Sequence, residues 1–281
     1  MKAAQFEYQP AGSTAEALRL LANAKPIGGG QSLGPMLNLR LVRPGKLVDV
    51  STLAEARRCE QRDGGYRIGG AMTHAEIEDG ALDELLRDSP ALAAMLRHVA
   101  GGIAYRAIRN RGTLAGSLAH ADPAADWVLA MNALDASLEL ASASGTRVVP
   151  MSDFMSGAFT TALSEGELLT GVLLPRASAG MRWGYVKFCR KTGEFAEASA
   201  AAVFDPEQGS ARLLIGALDG PPALLQQLAG AVAAQGSSAI TQQACLDAVA
   251  SVATGKDEAG NWQLAVAVKR CLQQLAGENR S

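Results

Sequence analysis

The sequence predicts an α+β protein of two or three subdomains, and three features support this prediction. Helix-like and strand-like patterns are interspersed through the first part of the chain. A hairpin signal at residues 142–145 joins two strand-like segments, which favours antiparallel pairing. Three more strand patterns follow with short turns between them, at residues 182–190, 197–204 and 211–218. Because 281 residues exceed the usual size of one core, we expect separate subdomains.

The composition is that of a folded chain without a strong electrostatic field. Hydrophobic residues make up 48% and charged residues 19%, and 26 basic against 28 acidic residues leave a net charge of −2. This balance disfavours binding to nucleic acid or to another polyanion. The amino-terminal segment lacks the apolar run of a signal peptide, and no stretch is apolar enough to span a bilayer. We therefore expect a cytoplasmic protein.

The cysteines and histidines do not predict a metal site. Cys59, Cys189, Cys245 and Cys271 are far apart, and none belongs to a CxxC pair. We expect reduced, mostly buried thiols and no zinc or iron–sulfur centre in this chain. His74 and His98 lie in predicted helices without a Cys or His at ligand spacing, whereas His120 lies among candidate ligand-binding residues.

The chain divides into three segments. In residues 1–55, a helix capped by Ser13 precedes a segment rich in glycine and proline at 25–35 and a strand at 46–50. We expect these elements to form a small α+β unit.

The second segment is residues 56–175. It contains a strand at 66–73, a helical pattern that begins at His74 and extends through Val99, and another strand at 167–174. Thr73 is placed to cap the helix. The hairpin signal lies in this segment, so its sheet should be mainly antiparallel.

The third segment is residues 176–281, and turn formers at 175–180 mark its boundary. Its three strand patterns predict a meander. The tail from Pro222 reads as helical, and its last helix carries one apolar stripe, formed by Leu264, Val268, Cys271, Leu272 and Leu275.

The first candidate site is the glycine run at residues 28–33. Consecutive glycines let several backbone N–H groups approach phosphate oxygens, so the run can cradle a pyrophosphate. It fits neither the GxGxxG nor the GxxxxGK[ST] pattern. An ordinary tight turn is the alternative interpretation.

The second candidate site is the loop predicted for residues 113–126. Hydroxyl groups, a glycine and the carboxylate of Asp126 follow one another there, and such groups suit phosphate and sugar oxygens. Together the two loops would clamp a dinucleotide from two sides. The alternative is a simple connection in which Asp126 caps a helix.

Four motifs in order carry a resemblance to a known family. They are GGGQSL at 28–33, RNRGTLAGSLAHADPAAD at 109–126, GYVKF at 184–188 and RKTGEFA at 190–196. The chain resembles the FAD-binding medium subunit of the molybdenum hydroxylases, the carbon monoxide dehydrogenase/xanthine dehydrogenase family. The resemblance implies a two-part FAD-binding domain of the PCMH type, followed by a domain with a three-stranded antiparallel sheet and helices.

The resemblance also implies a set of FAD-binding positions and no catalytic or metal-binding residue. Carried over residue by residue, the positions are Lys25, Gly28, Gly29, Gly30, Gln31, Ser32, Leu33, Ile103, Thr113, Leu114, Ala115, Gly116, Ser117, Asp126, Leu169 and Lys187. Two positions depart from the family pattern. Ala115 stands where a glycine is common, and Phe195, after Glu194, stands where tyrosine or tryptophan is frequent near the flavin.

The implied activity is electron transfer within an oxidoreductase complex. A large molybdopterin subunit would hydroxylate the substrate, a small subunit would carry 2Fe-2S clusters, and FAD in this chain would pass electrons to an external acceptor. Two alternatives remain at this stage: a self-contained FAD-dependent oxidoreductase, and an assembly or scaffold subunit without flavin. A basic stretch is interpreted as a partner surface or a phosphate neighbourhood; it comprises Arg97, Arg106, Arg109 and Arg111.

Overall fold

A computed structural model describes residues 2–62, 64–252 and 254–277. The helices are α1 Thr14–Leu21, α2 Leu33–Asn38, α3 Ala54–Arg57, α4 His74–Glu78, α5 Pro90–Gly101, α6 Arg106–Arg109, α7 Leu114–His120, α8 Asp126–Ala133, α9 Met151–Phe154, α10 Gln226–Gln235, α11 Gln242–Ala250 and α12 Glu258–Ala276. The strands are β1 Glu7–Pro10, β2 Lys25–Ile27, β3 Lys46–Asp49, β4 Glu60–Arg62, β5 Gly65–Gly69, β6 Ser137–Ser142, β7 Gly145–Pro150, β8 Met155–Gly157, β9 Thr160–Thr161, β10 Leu168–Pro175, β11 Arg182–Phe188, β12 Ala198–Asp205, β13 Ser210–Gly216 and β14 Ala223–Leu224.

The amino-terminal segment folds around a parallel sheet of three strands in the order β1-β3-β2. Ser13 caps α1 as predicted, since its hydroxyl accepts a hydrogen bond from the N–H of Glu16 at 3.2 Å. β2 ends at Ile27, so the first glycine run leaves the sheet at the end of a strand. Because β2 and β3 are parallel and in register, this run lies beside the end of β3.

The middle segment forms an antiparallel sheet in the order β4-β5-β10-β6-β7. The predicted hairpin is confirmed, because Ser142 pairs with Gly145 at the turn between β6 and β7. The short hairpin of β8 and β9 lies outside this sheet. The sheet and the surrounding helices enclose the largest apolar core, in which Trp127 and Phe154 are fully buried.

A buried arginine links three strands of this sheet. Arg67 on β5 is 4% exposed and donates to Glu139 Oε1 on β6 from Nε at 3.0 Å and from Nη2 at 2.6 Å. It also donates to the carbonyl oxygens of Arg58 at 2.8 Å and Thr170 at 3.2 Å. A side chain at Gly171 would begin 2.9 Å from the Arg67 guanidinium carbon, so β10 needs glycine there.

The carboxy-terminal segment forms an antiparallel sheet in the order β11-β12-β13-β14. The predicted meander is β11 to β13, and the two-residue β14 adds an edge strand where the sequence predicts only helix. Helices α10 to α12 cover one face and form a second core. The other face packs on the first core through Tyr185, Ala201, Val203 and Leu214. The predicted apolar stripe of α12 is buried as expected.

The helical pattern from His74 to Val99 is interrupted. Thr73 caps α4 with a capping box, as predicted, but α4 ends at Glu78 and α5 begins at Pro90. Gly80 adopts φ +87°, a conformation that terminates a helix, and proline is favoured in the first turn of the next one. Of the intervening leucines, Leu82 and Leu86 are buried and Leu85 is half-buried, and all three lie in turns rather than in a helix.

The predicted α+β class, with its antiparallel middle and carboxy-terminal sheets, is confirmed. Each of the three predicted segments contributes its own sheet, although the domain limits themselves stay a prediction. In the described ranges, no helix has both the length and the apolar character needed to cross a bilayer. Cys245 and Cys271 are buried free thiols, and Cys59 and Cys189 are half-buried.

Candidate functional site

A row of unused backbone donors follows β2. Among the described residues, none accepts a hydrogen bond from the backbone N–H groups of residues 28–33. The segment is nevertheless ordered: Gly34 N–H donates to the Gly30 carbonyl oxygen at 2.8 Å, and Gln31 Nε2 donates to the Gly29 carbonyl oxygen at 3.1 Å. Ser32 does not cap α2 with its hydroxyl. Six adjacent donors are therefore available to an anion.

Close packing against residues 111–113 explains the glycines. A side chain at Gly29 would overlap the carbonyl oxygen of Arg111, and one at Gly28 would begin 2.9 Å from Thr113 Oγ1. Gly30 has φ +73°, which strains any residue with a Cβ. The structure thus places Gly28 and Gly29 directly against residues 111–113.

The prediction of a loop for residues 113–126 is wrong, because α7 occupies half of this range and α8 begins at its last residue. Thr113 is the N-cap of α7, and its hydroxyl accepts from the N–H of Gly116 at 3.2 Å. The N–H groups of Leu114 and Ala115 donate to Met72 and Gly70 at 2.9 and 2.8 Å. These amides are already bonded within the protein, so only the first segment offers a row of unused donors.

Residues 113–117, the start of the second candidate site, pack against neighbours that the sequence did not single out. The methyl group of Ala115 lies 2.7 Å from where a side chain at Gly70 would begin, so it faces the backbone after β5. The carbonyl oxygen of Leu169 lies 3.1 Å from the same point. The side chains of Leu114 and Leu169 are buried. Ala115 is therefore accommodated because residue 70 is a glycine. The glycine pair at the end of β5, residues 69–70, was the feature of the sequence that could have indicated this contact.

Apart from the two candidate loops, further predicted residues lie together around the buried carboxylate of Asp126. Asp126 is the first residue of α8, and Ala125 is the N-cap, so Asp126 does not cap the helix. Its Oδ2 accepts from Lys187 Nζ at 2.9 Å, and its Oδ1 accepts from the Tyr185 hydroxyl at 2.7 Å. Burial raises the pKa of Asp126 above its usual range, and the Lys187 charge opposes that rise. Lys187 Nζ also contacts the carbonyl oxygen of Gly102, next to Ile103.

The remaining predicted positions lie at the surface. Lys25 is the exposed first residue of β2. Phe195 is 60% exposed and lines a cavity of about 450 Å³ with Glu194 and Gly193. Gly193 approaches the carbonyl oxygen of Ala104, which brings this cavity beside Ile103.

The basic stretch is largely neutralised. Arg97 pairs with Asp83 at 2.9 Å, and Arg106 and Arg109 pair with Glu78 at 2.9 and 2.8 Å. Arg111 is exposed, lies against the first glycine run and forms no ion pair with a residue that the structure describes. The contact with the glycine run is made by the backbone of Arg111, which is the member of the stretch nearest that run.

A buried histidine packs against Gly112, just before α7. His74 Nδ1 accepts a hydrogen bond from Trp127 Nε1 at 3.0 Å, and His74 Nε2 lies 2.7 Å from where a side chain at Gly112 would begin. Burial, together with the Arg109 charge, lowers the pKa of His74 from 6.5 to about 4. His74 is therefore neutral at neutral pH. In the described part of the chain, no group of three His, Cys, Asp or Glu residues is placed to hold a metal ion.

This histidine predicts a component of the pH dependence of stability. The unfolded state binds the His74 proton near pH 6.5, whereas the folded state binds it only near pH 4, so stability falls as the pH drops between these values. The component amounts to about 3 kcal/mol over that window. His74→Gln keeps an acceptor for Trp127 but does not titrate. Urea unfolding at pH 7, 6 and 5 should show a smaller loss in the variant than in the wild type, and parallel losses would contradict the assignment.

Comparison with known proteins identifies the class. Residues 4–177 match the family described as "FAD binding domain in molybdopterin dehydrogenase". The nicotine 6-hydroxylase medium subunit of Paenarthrobacter nicotinovorans is 35% identical over 222 residues, which cover 77% of this chain and 76% of that protein. The carbon monoxide dehydrogenase medium chain of Hydrogenophaga pseudoflava is 35% identical over 71% of this chain and 69% of its own length.

Solved structures agree. Quinoline 2-oxidoreductase from Pseudomonas putida 86 superposes with a TM-score of 0.87 at 30% identity and 99% coverage of both chains. A carbon monoxide dehydrogenase from Hydrogenophaga pseudoflava that lacks the Mo-pyranopterin moiety superposes equally well at 28% identity.

The chain belongs to the family of FAD-binding domains of molybdopterin dehydrogenases. The predicted resemblance, the fold of a medium subunit, the FAD cofactor and the class of oxidoreductase subunit are confirmed. The relatives are medium subunits or medium chains of larger enzymes, which confirms that such a chain works with partner subunits.

Proposed function

We propose that this chain holds FAD on residues 28–33 and passes electrons from an iron–sulfur partner subunit to an external acceptor, in a cytoplasmic complex with a large molybdopterin subunit. The row of unused N–H groups after β2 carries the proposal. A folded protein rarely leaves several adjacent backbone donors without a partner, and a ligand anion satisfies them.

The diphosphate of FAD fits this row better than a neutral ligand does. Backbone amides in a concave turn present partial positive charges, which favour a bound anion. Any side chain at Gly28 or Gly29 would occupy the space where the second segment now packs. The hydroxyl groups of Ser32 and Ser117 supply further polar contacts near either segment.

Residues 113–117, which were predicted to contact FAD, are assigned a mainly supporting role. Since the amides of Leu114, Ala115 and Gly116 are bonded internally, this segment shapes and supports the first one. Thr113 contributes most directly because its hydroxyl borders Gly28. Leu169 lies beside this segment through its backbone. Ile103 and Lys187 form a second group that contacts the cofactor, and Asp126 holds Lys187 in that group.

The role of a relay follows from what this chain contains. Bound FAD supplies a carrier that exchanges electrons with both one-electron and two-electron partners. The protein binds and orients the cofactor. Within the residues that the structure describes, no group of three His, Cys, Asp or Glu residues is placed to hold a metal ion. Since its relatives are named as medium subunits or medium chains of larger enzymes, we assign iron–sulfur and molybdopterin chemistry to partner subunits.

Reduction by the iron–sulfur partner tests the proposal. The FAD-loaded chain is mixed without oxygen with the reduced small subunit that co-purifies with it from the native source. We expect the visible flavin absorbance to bleach and to return when an electron acceptor is added, whereas a flavin-stripped sample shows no such change. A flavin that stays oxidised contradicts the relay, substrate turnover by the lone chain supports the self-contained oxidoreductase, and a chain purified without flavin supports the scaffold.

A further inference from the structure

A buried hydrogen-bonded cluster joins β11 to the start of α8. Both oxygens of the Asp126 carboxylate are used, one by the Tyr185 hydroxyl at 2.7 Å and the other by Lys187 Nζ at 2.9 Å. Tyr185 is 4% exposed, and the side chains of Asp126 and Lys187 are 5% and 10% exposed. A buried charge pair of this kind is stable only when its remaining polar atoms are satisfied.

The backbone and the ring of Tyr185 are each held by a contact of their own. The backbone N–H of Tyr185 donates to Gln274 Oε1 on α12 at 3.0 Å. Its ring packs edge-on against His98 of α5, with 6.0 Å between ring centres. The tyrosine therefore has little freedom, and its hydroxyl fixes the plane of the Asp126 carboxylate.

The lysine is not fully satisfied by the cluster. Its ammonium carries three N–H groups; one donates to Asp126 and another to the carbonyl oxygen of Gly102 at 3.3 Å. No third acceptor lies within reach among the described residues. Because Gly102 directly precedes Ile103, the Lys187 ammonium lies beside the second group of proposed FAD contacts.

We infer that Tyr185 is a positioning residue for FAD binding: by fixing the Asp126 carboxylate, it directs the free N–H of Lys187 toward the cofactor. Asp126 then acts through Lys187 and does not itself touch FAD. This inference rests on the proposed function and adds to it a residue outside the predicted set.

Removing the hydroxyl should make the Asp126 carboxylate easier to protonate. The titratable groups that face Asp126 in the described structure are Lys187 and Tyr185 on β11 and His98 on α5. Without the tyrosine donor, the buried carboxylate takes up a proton at higher pH. Lys187 then loses its fixed partner, so FAD binding should weaken as the pH falls.

The test is the FAD dissociation constant of the full chain at pH 8, 7 and 6. We expect Tyr185→Phe to weaken binding by about tenfold at pH 7 and to add a steeper loss toward pH 6 than the wild type shows. Lys187→Met should weaken binding at least as much, with no such added slope. Tyr66→Phe is the matched control, since it removes a buried hydroxyl bonded to Ser89 at 3.1 Å in the first core.

Three outcomes would overturn the inference. Tyr185→Phe with the wild-type constant at every pH shows that the hydroxyl positions nothing. Equal losses in Tyr66→Phe and Tyr185→Phe show an effect on folding alone, and full affinity in Lys187→Met shows that the lysine does not contact FAD. A wild-type chain that binds no FAD would contradict the proposed function and this inference with it.

Discussion

Replacing Gly29 by alanine is expected to abolish detectable FAD binding at cofactor concentrations that saturate the wild type. The added methyl group would overlap the carbonyl oxygen of Arg111, and backbone on both sides leaves no flexible side chain to give way. The first glycine run must then move away from residues 111–113, which disperses the row of N–H groups. The same strain should lower the free energy of unfolding by about 1–3 kcal/mol.

Gly45→Ala is the matched control for this substitution. Gly45 lies just before β3 in the same subdomain, its backbone is not in the positive-φ region, and a side chain there would meet nothing within 4 Å. The flavin-to-protein ratio after purification and an FAD titration measure both variants. If Gly29→Ala retains the affinity of Gly45→Ala, the first glycine run does not hold the cofactor.

Arg67→Met is expected to cause the largest loss of stability among single substitutions in the middle sheet, about 3–5 kcal/mol. Methionine fills similar space but leaves the Glu139 carboxylate, whose side chain is only 12% exposed, without its main partner. The carbonyl oxygens of Arg58 and Thr170 lose their donors as well. Urea unfolding followed by far-UV circular dichroism measures the change.

Arg62→Met separates burial from charge in this prediction. Arg62 pairs with the same glutamate at 3.1 Å, but its side chain is 45% exposed, so its removal should cost less than about 1 kcal/mol. Equal costs for the two arginines would show that burial of Arg67 does not determine its contribution.

The first glycine run was predictable because its chemistry is local. Consecutive glycines without a following Lys-Ser/Thr pair indicate a tight backbone site that fits neither the GxGxxG nor the GxxxxGK[ST] pattern. What the sequence could not reveal is that Gly29 faces Arg111, since this contact joins residues more than eighty positions apart. The resemblance to a family placed both segments at one cofactor without giving their contact.

The loop predicted for residues 113–126 was wrong for a physical reason. Its glycine and hydroxyl residues suggested a loop, but Thr113 with Gly116 three residues later is also an N-cap followed by helix-forming Leu and Ala. Tertiary hydrogen bonds to Met72 and Gly70 then fix the helix and use its first amides. Gly70 and Met72 directly follow β5, and no local sequence pattern connects them to residue 113.

The buried polar groups were the least predictable part. Asp126 and Lys187 entered the set of candidates through the resemblance alone, and Tyr185 was not singled out as a site residue. Each depends on β11 packing against α5 and α8, a contact between two predicted segments. Strand alternation places Tyr185 and Lys187 on one face, but it does not tell which residue they meet.

A crystal structure of the chain grown with FAD would show where the diphosphate binds. We expect its oxygens to lie within about 2.7–3.2 Å of backbone nitrogens in residues 28–33, with residues 111–113 packed behind them. A diphosphate bound elsewhere, with these N–H groups still lacking a protein or ligand acceptor, would overturn the assignment of FAD to residues 28–33.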